Sequence, residues 1–184
     1  MRHLTTPLSL EDVLSLKAGD EVALSGVVYG ARDQAHLRLK EALEKGEELP
    51  IPLEGQVLYY VGPAPAKEGW AVGPAGPTTS SRMDPFTVPL LQKGLRGMIG
   101  KGYRSPEVKE ALTICKAVYF VAVGGGAALL ARHIASSRVV AYPELGPEAI
   151  YAFQFQAFPV IVALDAYGGD LYAEGRRPYA RKPQ

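Results

Sequence analysis

At 184 residues and 47% apolar content, the chain is long enough to bury one full core and too apolar to be disordered. Twenty Lys and Arg against 19 Asp and Glu leave a net charge of +1, which is no polyanion-binding composition, so no nucleic-acid partner is expected. The single cysteine, Cys115, excludes an internal disulfide framework, a cysteine zinc site and a self-contained iron–sulfur cluster, and the three histidines (His3, His36, His133) are too scattered to imply a metal site.

Taken in chain order, residues 1–13 hold no apolar signal-peptide core, so a soluble, cytoplasmic protein with no membrane partner is expected. Ser9 before LEDVLSL reads as an N-cap, with Asp12 completing a capping box and Gly19 as the stop. DEVALSGVVYG, residues 20–30, alternates as a strand. Asp33 then caps a helix to about Lys45, with Ala35, Leu39, Ala42 and Leu43 as its apolar stripe. VLYYV, residues 57–61, is a second strand. Pro89 and Gly94 interrupt whatever helix begins near Pro85. Ser105-Pro106-Glu107 opens a helix that runs to about Cys115, which reads as a buried small hydrophobe. AVYFVAV, residues 117–123, is apolar on both faces like a central strand, and Gly124–Gly126 turns it into the helix AALLARHI. The apolar run 117–131 is too short to span a bilayer. Residues 139–141 and 160–164 read as further buried strands, Gly168-Gly169-Asp170 as a hairpin-type turn, and RRPYARKPQ as a basic, frayed tail. Strands alternating with helices give an α/β class with a mixed sheet. Asparagine is absent and proline numbers 15, a thermophile-like pattern that GC-rich coding also produces.

Residues 62–84, GPAPAKEGWAVGPAGPTTSSRMD, form a long Gly/Pro-rich connection between apolar flanks. Such a segment inside a compact domain is usually functional or disordered, and the flanks speak against disorder. Its end, Gly76-Pro77-Thr78-Thr79-Ser80-Ser81-Arg82, packs hydroxyls and a guanidinium after a tight turn, a combination suited to a carboxylate or phosphate. The bland counterpart is a Ser/Thr-rich turn with a surface arginine. Ala31-Arg32-Asp33 lies where a strand passes into a helix, the usual ligand position in an α/β fold; its bland counterpart is a plain N-cap. Gly100-Lys101-Gly102 places a lysine where backbone can approach a ligand, or is simply a turn. No Walker loop, GxGxxG or GxSxG elbow is present. Val72, Met83, Phe86, Met98 and Ile99, in this Gly-rich setting, are candidates for an apolar surface facing a partner.

GPAGPTTSSRMDPFTVPLL, GLRGMIGKG, the run AVYFVAVGGGAALLARHI and FPVIVALDAYGGDLY together resemble the β-region of class I fumarate hydratases and L-tartrate dehydratases, iron–sulfur-dependent hydro-lyases. The resemblance covers about residues 5–175. It implies one swivelling β/β/α domain over 1–184 with a basic tail from about 175. A chain starting at Met1 without a cluster domain is similar to the separate β subunit of two-subunit members. It implies a [4Fe–4S] cluster bound by three cysteines of a partner α subunit, with no metal held here. Gln154 and Gln156 stand where relatives often carry acidic residues.

By the same resemblance, Arg32, Arg82 and Lys101 match positions that bind a small dicarboxylate, and Thr78 matches one proposed as base or proton relay. Arg82 and Thr78 are thus the expected catalytic residues, Arg32 and Lys101 the substrate-binding ones. A threonine hydroxyl is a poor base alone, and nothing in the sequence clearly supplies the carboxylate it needs, so the α subunit is expected to. Asp33 and His36 have no specific match and stay outside the expected site. Hydration of fumarate to malate is the expected reaction. Conversion of tartrate to oxaloacetate, and a non-catalytic carboxylate-binding scaffold, are the alternatives. An α2β2 assembly is expected.

Overall fold

The computed structural model describes residues 1–180. Its seven strands are β1 (Arg2–Thr6), β2 (Glu21–Gly30), β3 (Val57–Tyr59), β4 (Gly97–Gly100), β5 (Val118–Val121), β6 (Ile134–Ala141) and β7 (Ile150–Leu164). The helices are α1 (Leu10–Ser15), α2 (Asp33–Lys45), α3 (Asp84–Gln92), α4 (Pro106–Cys115), α5 (Ala127–Ala131) and α6 (Leu171–Glu174). β1 to β5 pair in order and in parallel. β7 runs antiparallel to both β5 and β2, so β2-β3-β4-β5-β7 closes on itself as a small barrel, while β1 and β6 extend it at two edges. The architecture is mixed α/β with a mixed sheet.

Strand alternation divides the core in two. Val57, Tyr59, Ile99, Val118 and Phe120 point into the barrel, where they meet Phe153, Phe155 and Phe158 of β7. Phe155 and Phe158 stack at 4.0 Å, and Tyr59 meets Phe155 edge-on at 5.9 Å. Leu58, Met98 and Tyr119 point outward and are covered by α2, α3 and α4. Burial on both faces explains why these strands read as unbroken apolar runs. The 15-residue β7 can serve two partners because it bends at a bulge, where Ala157 has φ 47° and its N–H bonds Ser25 Oγ at 3.0 Å.

Several local expectations change. α1 ends at Ser15, with the Ser9–Asp12 capping box in place. Asp33 is the first residue of α2 rather than its cap; Arg32 occupies the cap with no side-chain bond. Leu43 is only partly buried, and His36 joins the buried face instead. Helix α3 passes through Pro89, since one lost backbone bond is offset by anchoring of its first turn, and Gly94 at φ +95° follows its end. AALLARHI is helical only to Ala131, because Ile134 already pairs with Phe155. β6 is an edge strand with largely exposed residues, not a buried one. Asp170 caps the short α6, accepting from the Tyr172 and Ala173 N–H groups. The tail continues as a 3-10 turn at Arg177–Tyr179, and its last four positions lie outside the described residues. β1 and β4 are strands that the sequence pattern does not signal, and Cys115 is half-buried rather than buried. Val72, Met83, Met98 and Ile99 are core residues, not a docking surface, because the strand ends and the loop close over them; the exposed apolar side chains nearby are Trp70, Tyr103, Val123 and Leu129. Among the described residues no helix is long and apolar enough to cross a membrane.

One buried ion pair organises the outer layer. Arg104, whose side chain is 0% exposed, bonds Asp84 Oδ1 through Nε at 2.6 Å, Thr87 Oγ1 through Nη2 at 2.7 Å and the Tyr60 hydroxyl through Nη1 at 3.2 Å. The second Asp84 oxygen accepts the Ser105 N–H at 2.7 Å. Burial opposes the Arg104 charge, but Tyr60 and Asp84 outweigh it and hold the guanidinium protonated. Removing one partner strands the other charge in a dry site, a loss of about 3–5 kcal/mol. Arg104→Ala is therefore expected to lower unfolding free energy by that amount in a urea titration. Arg104→Lys is expected to recover only part, having one point of attachment where three are needed.

Candidate functional site

The parallel strands β2, β3, β4 and β5 all point their C-terminal ends at one edge of the barrel, and every expected site residue lies on the segments that leave it. Arg32 follows β2 by two residues, residues 62–83 follow β3, Lys101 follows β4 directly, and Gly124–Gly126 follow β5. This is where α/β sheets bind ligands.

The long connection is ordered by specific bonds. Tyr59 Oη, inside the barrel, donates to the Ala75 carbonyl at 2.8 Å, and burial pushes its pKa upward. The Ala75 N–H bonds the Ala127 carbonyl at 3.2 Å. Thr78 donates to the Tyr60 carbonyl twice, from its N–H at 2.8 Å and from Oγ1 at 3.1 Å. The Lys101 N–H bonds the Thr78 carbonyl at 3.2 Å, and the Ser80 N–H bonds the Lys101 carbonyl at 2.9 Å, so Thr78 and Lys101 are fixed as neighbours. Ser80 Oγ and the Gly102 carbonyl share the buried Tyr119 hydroxyl at 2.8 and 2.9 Å. Gly100 makes this close approach possible, since a Cβ there would lie 1.9 Å from Ser80 Oγ. Lys101 itself is exposed, and its ammonium has no hydrogen bond or ion pair among the described residues.

The two arginines meet at a carboxylate. Arg82, half-exposed on the 3-10 turn Ser80–Met83, lies with Nε 2.8 Å from Asp33 Oδ1. Arg32 Nε bonds Asp33 Oδ2 at 3.1 Å and lies 3.0 Å from Glu148 Oε1. Burial raises the Asp33 pKa, but its own backbone N–H, the Arg32 bond and the two arginine charges outweigh this and hold the carboxyl below its ordinary value. The first turn of α2 is locked by His36, whose N–H and Nδ1 both lie 2.9 Å from the Arg32 carbonyl. That carbonyl requires the proton on Nδ1, leaving Nε2 a bare acceptor, buried and without a hydrogen-bond partner among the described residues. His36 packs edge-on against Tyr60 at 5.2 Å.

The arrangement thus has two parts on one edge: Thr78 with Lys101, and Arg32 with Arg82. Three residues separate Thr78 from Arg82, and Tyr60 joins the two parts, bonding Thr78 through its carbonyl and packing its ring against His36, which holds the Arg32 carbonyl. Three cations, two carboxylates and one hydroxyl oxygen form a net positive patch suited to a small anion with more than one carboxylate.

The chain matches the Fumarase C-terminus family over residues 2–175. It belongs to that family. L(+)-tartrate dehydratase subunit beta of Escherichia coli (strain K12) is 33% identical, over 97% of this chain and 90% of that protein. Fumarate hydratase class I, aerobic, of Salmonella typhimurium is 37% identical over 93% of this chain and 30% of that protein. Fumarate hydratase 2 of Leishmania major is 39% identical over 85% of this chain and 28% of that protein. The chain therefore spans about a third or less of the fumarate hydratases it matches.

Three members of the site carry no signal of their own in the sequence. Asp33 and His36 sat beside Arg32 but without a pattern to distinguish them from ordinary helix residues. Glu148 lies 116 positions from Arg32 (148 minus 32), and no local signal joins them. The iron–sulfur group implied by the resemblance does not fit this family member's own residues: the chain has one cysteine, and Cys115 ends α4 on the outer layer. Among the described residues no cluster of three or more His, Cys, Asp or Glu is arranged to hold a metal ion.

Burial, with the Arg104 charge beside it, lowers the His36 pKa to about 4, against the opposing pulls of the Arg32 carbonyl and Asp33. The unfolded chain takes up this proton near pH 6.5 and the folded chain only near 4, so stability present above pH 6.5 is lost as pH falls through that window. The loss amounts to about 3 kcal/mol by pH 4. His36→Gln, which does not titrate, is expected to show a flatter dependence of melting temperature on pH between 7 and 4 than the native chain. Equal slopes would mean that His36 charges freely in the fold.

Proposed function

We propose that the chain is the β subunit of a hydro-lyase that reversibly hydrates fumarate to malate, binding the dicarboxylate in a site shared with an α subunit. The convergence of Arg32, Thr78, Arg82 and Lys101 at one edge of the barrel carries this reading. A malate-like substrate brings two negative charges. Two guanidiniums and an ammonium on anchored loops are the groups to receive them, and fixing the substrate between them removes the orientational cost of reaction.

Conversion of malate to fumarate removes a proton from C3 and hydroxide from C2. Thr78 is the group of this chain proposed to pass that proton. Its own proton points to the Tyr60 carbonyl, so the remaining lone pairs of Oγ1 are the accepting side. A hydroxyl cannot hold the proton at neutral pH, and it must go on to a carboxylate. Asp33 is poorly suited, being committed to two arginines and held ionised, so we assign that carboxylate to the α subunit. The [4Fe–4S] cluster is assigned there too, on the strength of the single cysteine here. The near end-to-end match with a tartrate dehydratase beta subunit supports the two-subunit arrangement and favours tartrate, giving oxaloacetate, as the second reading. A symmetric α2β2 complex is the proposed assembly.

In the purified α–β complex, Arg82→Ala is expected to lower kcat/KM by at least about 100-fold, close to 3 kcal/mol, on whichever substrate is turned over among fumarate, malate and the tartrate isomers. Thr78→Ala is expected to lower kcat far more than it raises KM. Arg177→Ala, on the exposed C-terminal turn, should match the native enzyme. Native kcat/KM in Arg82→Ala on all substrates would overturn the reading.

Anaerobic incubation of the isolated chain with iron and sulfide is expected to leave it colourless. A stoichiometric brown cluster on this chain alone would refute the assignment of the cluster to the partner.

A further inference from the structure

The carboxylate between the two arginines is placed in a way that helix formation does not require. An acidic residue in the first turn of a helix serves by facing the free backbone N–H groups. Each Asp33 oxygen instead faces a different guanidinium, Oδ1 that of Arg82 at 2.8 Å and Oδ2 that of Arg32 at 3.1 Å. Both arginines approach through Nε. No Nη nitrogen of either one makes a hydrogen bond among the described residues. A guanidinium held at Nε keeps its Nη1–Nη2 end open, and that end is the fork a second carboxylate can take bidentately. The surroundings keep the geometry. Glu148 Oε1 also lies 3.0 Å from Arg32 Nε, and the His36 bonds fix the Arg32 backbone. Gly62 leaves the room that Arg32 occupies, since a Cβ there would stand 2.9 Å from Nη1.

We infer that Asp33 is a positioning residue of the dicarboxylate site, setting the spacing and orientation of Arg32 and Arg82 so that their open Nη ends receive the substrate carboxylates. The inference rests on the dicarboxylate reading above. Without Asp33, Arg82 has no ion-pair partner among the described residues, and its long, half-exposed side chain would have to be ordered by the substrate at a cost in affinity. Asp33 acts through the arginines and touches no reacting atom.

The test uses the α–β complex and measures kcat, KM and melting temperature for Asp33→Asn, Asp33→Glu, Arg82→Ala and the double variant Asp33→Asn/Arg82→Ala. Asp33→Asn is expected to raise KM by about 10-fold or more with kcat changed less than about 3-fold. Asp33→Glu keeps the charge at the helix start but moves both guanidiniums, so it should raise KM as well. In the double variant the Asp33 change should add less than about 3-fold to the Arg82 effect, because one residue acts through the other. A fall in kcat at constant KM would assign Asp33 to proton transfer and overturn the inference. Native kinetics in Asp33→Glu, with only a lowered melting temperature in Asp33→Asn, would reduce it to a helix-start residue and overturn it equally. If Arg82→Ala is impaired while Asp33→Asn is native, this inference alone fails. If Arg82→Ala is itself native, the dicarboxylate reading fails and this inference falls with it.

Discussion

A guanidinium sealed from water must find its partners inside the protein, and Arg104 finds them on elements far apart in sequence. Its bonds to Asp84, Thr87 and Tyr60 join the segment leading into α4 to the first turn of α3 and to the residue after β3. The Tyr60 and Tyr119 rings lie 5.4 and 5.1 Å from it. None of these groups can be satisfied if a neighbour shifts by an ångström, so the outer layer has one arrangement rather than several. The loop carrying Thr78 and Arg82 inherits this rigidity, because it runs between Tyr60 and Asp84. A loop rich in glycine and proline is thereby anchored at both ends, which a site for a small anion needs.

The same economy governs charge. The candidate site exposes cations, yet only Lys101 stands without a counter-ion among the described residues. Arg32 and Arg82 are partly neutralised by carboxylates of their own chain, which limits mutual repulsion before an anion arrives. Net charge at this edge is modest, so affinity depends on where the nitrogens point more than on how many there are.

Much of this was legible in the amino-acid order, for identifiable reasons. Ser105-Pro106-Glu107 specifies a helix start by local chemistry alone, and α4 begins and ends where that pattern places it. β5 is apolar on both faces because helices and barrel interior both cover it. The site motifs were visible because hydroxyls and arginine crowd into residues 76–82. What escaped notice is non-local. β4 carries two glycines in four residues, a composition that reads as a turn until a neighbouring loop is known to press on it. β1, RHLTT, has no apolar alternation because it is an edge. Asp84 reads as the last residue of the Gly/Pro-rich connection, and only the position of Arg104 twenty residues later reveals it as part of the frame. The Asp33 carboxylate is likewise ordinary until Arg82 is brought to it by the fold.

Closure of the barrel has a consequence for how the chain is made. β2 occupies residues 21–30, and the strand that seals it against β5 occupies residues 150–164. During vectorial synthesis more than a hundred residues must emerge after β2 before the partner of its other edge, β7, exists. Until then β2 and β5 both offer open edges, with the inward aromatic face of the sheet uncovered. Contacts of such wide sequence separation form slowly, and unpaired edges recruit other chains. Nascent chains of this protein are thus most vulnerable to aggregation in the interval just before β7 leaves the ribosome, and a chaperone or an early-arriving partner would have its greatest effect there.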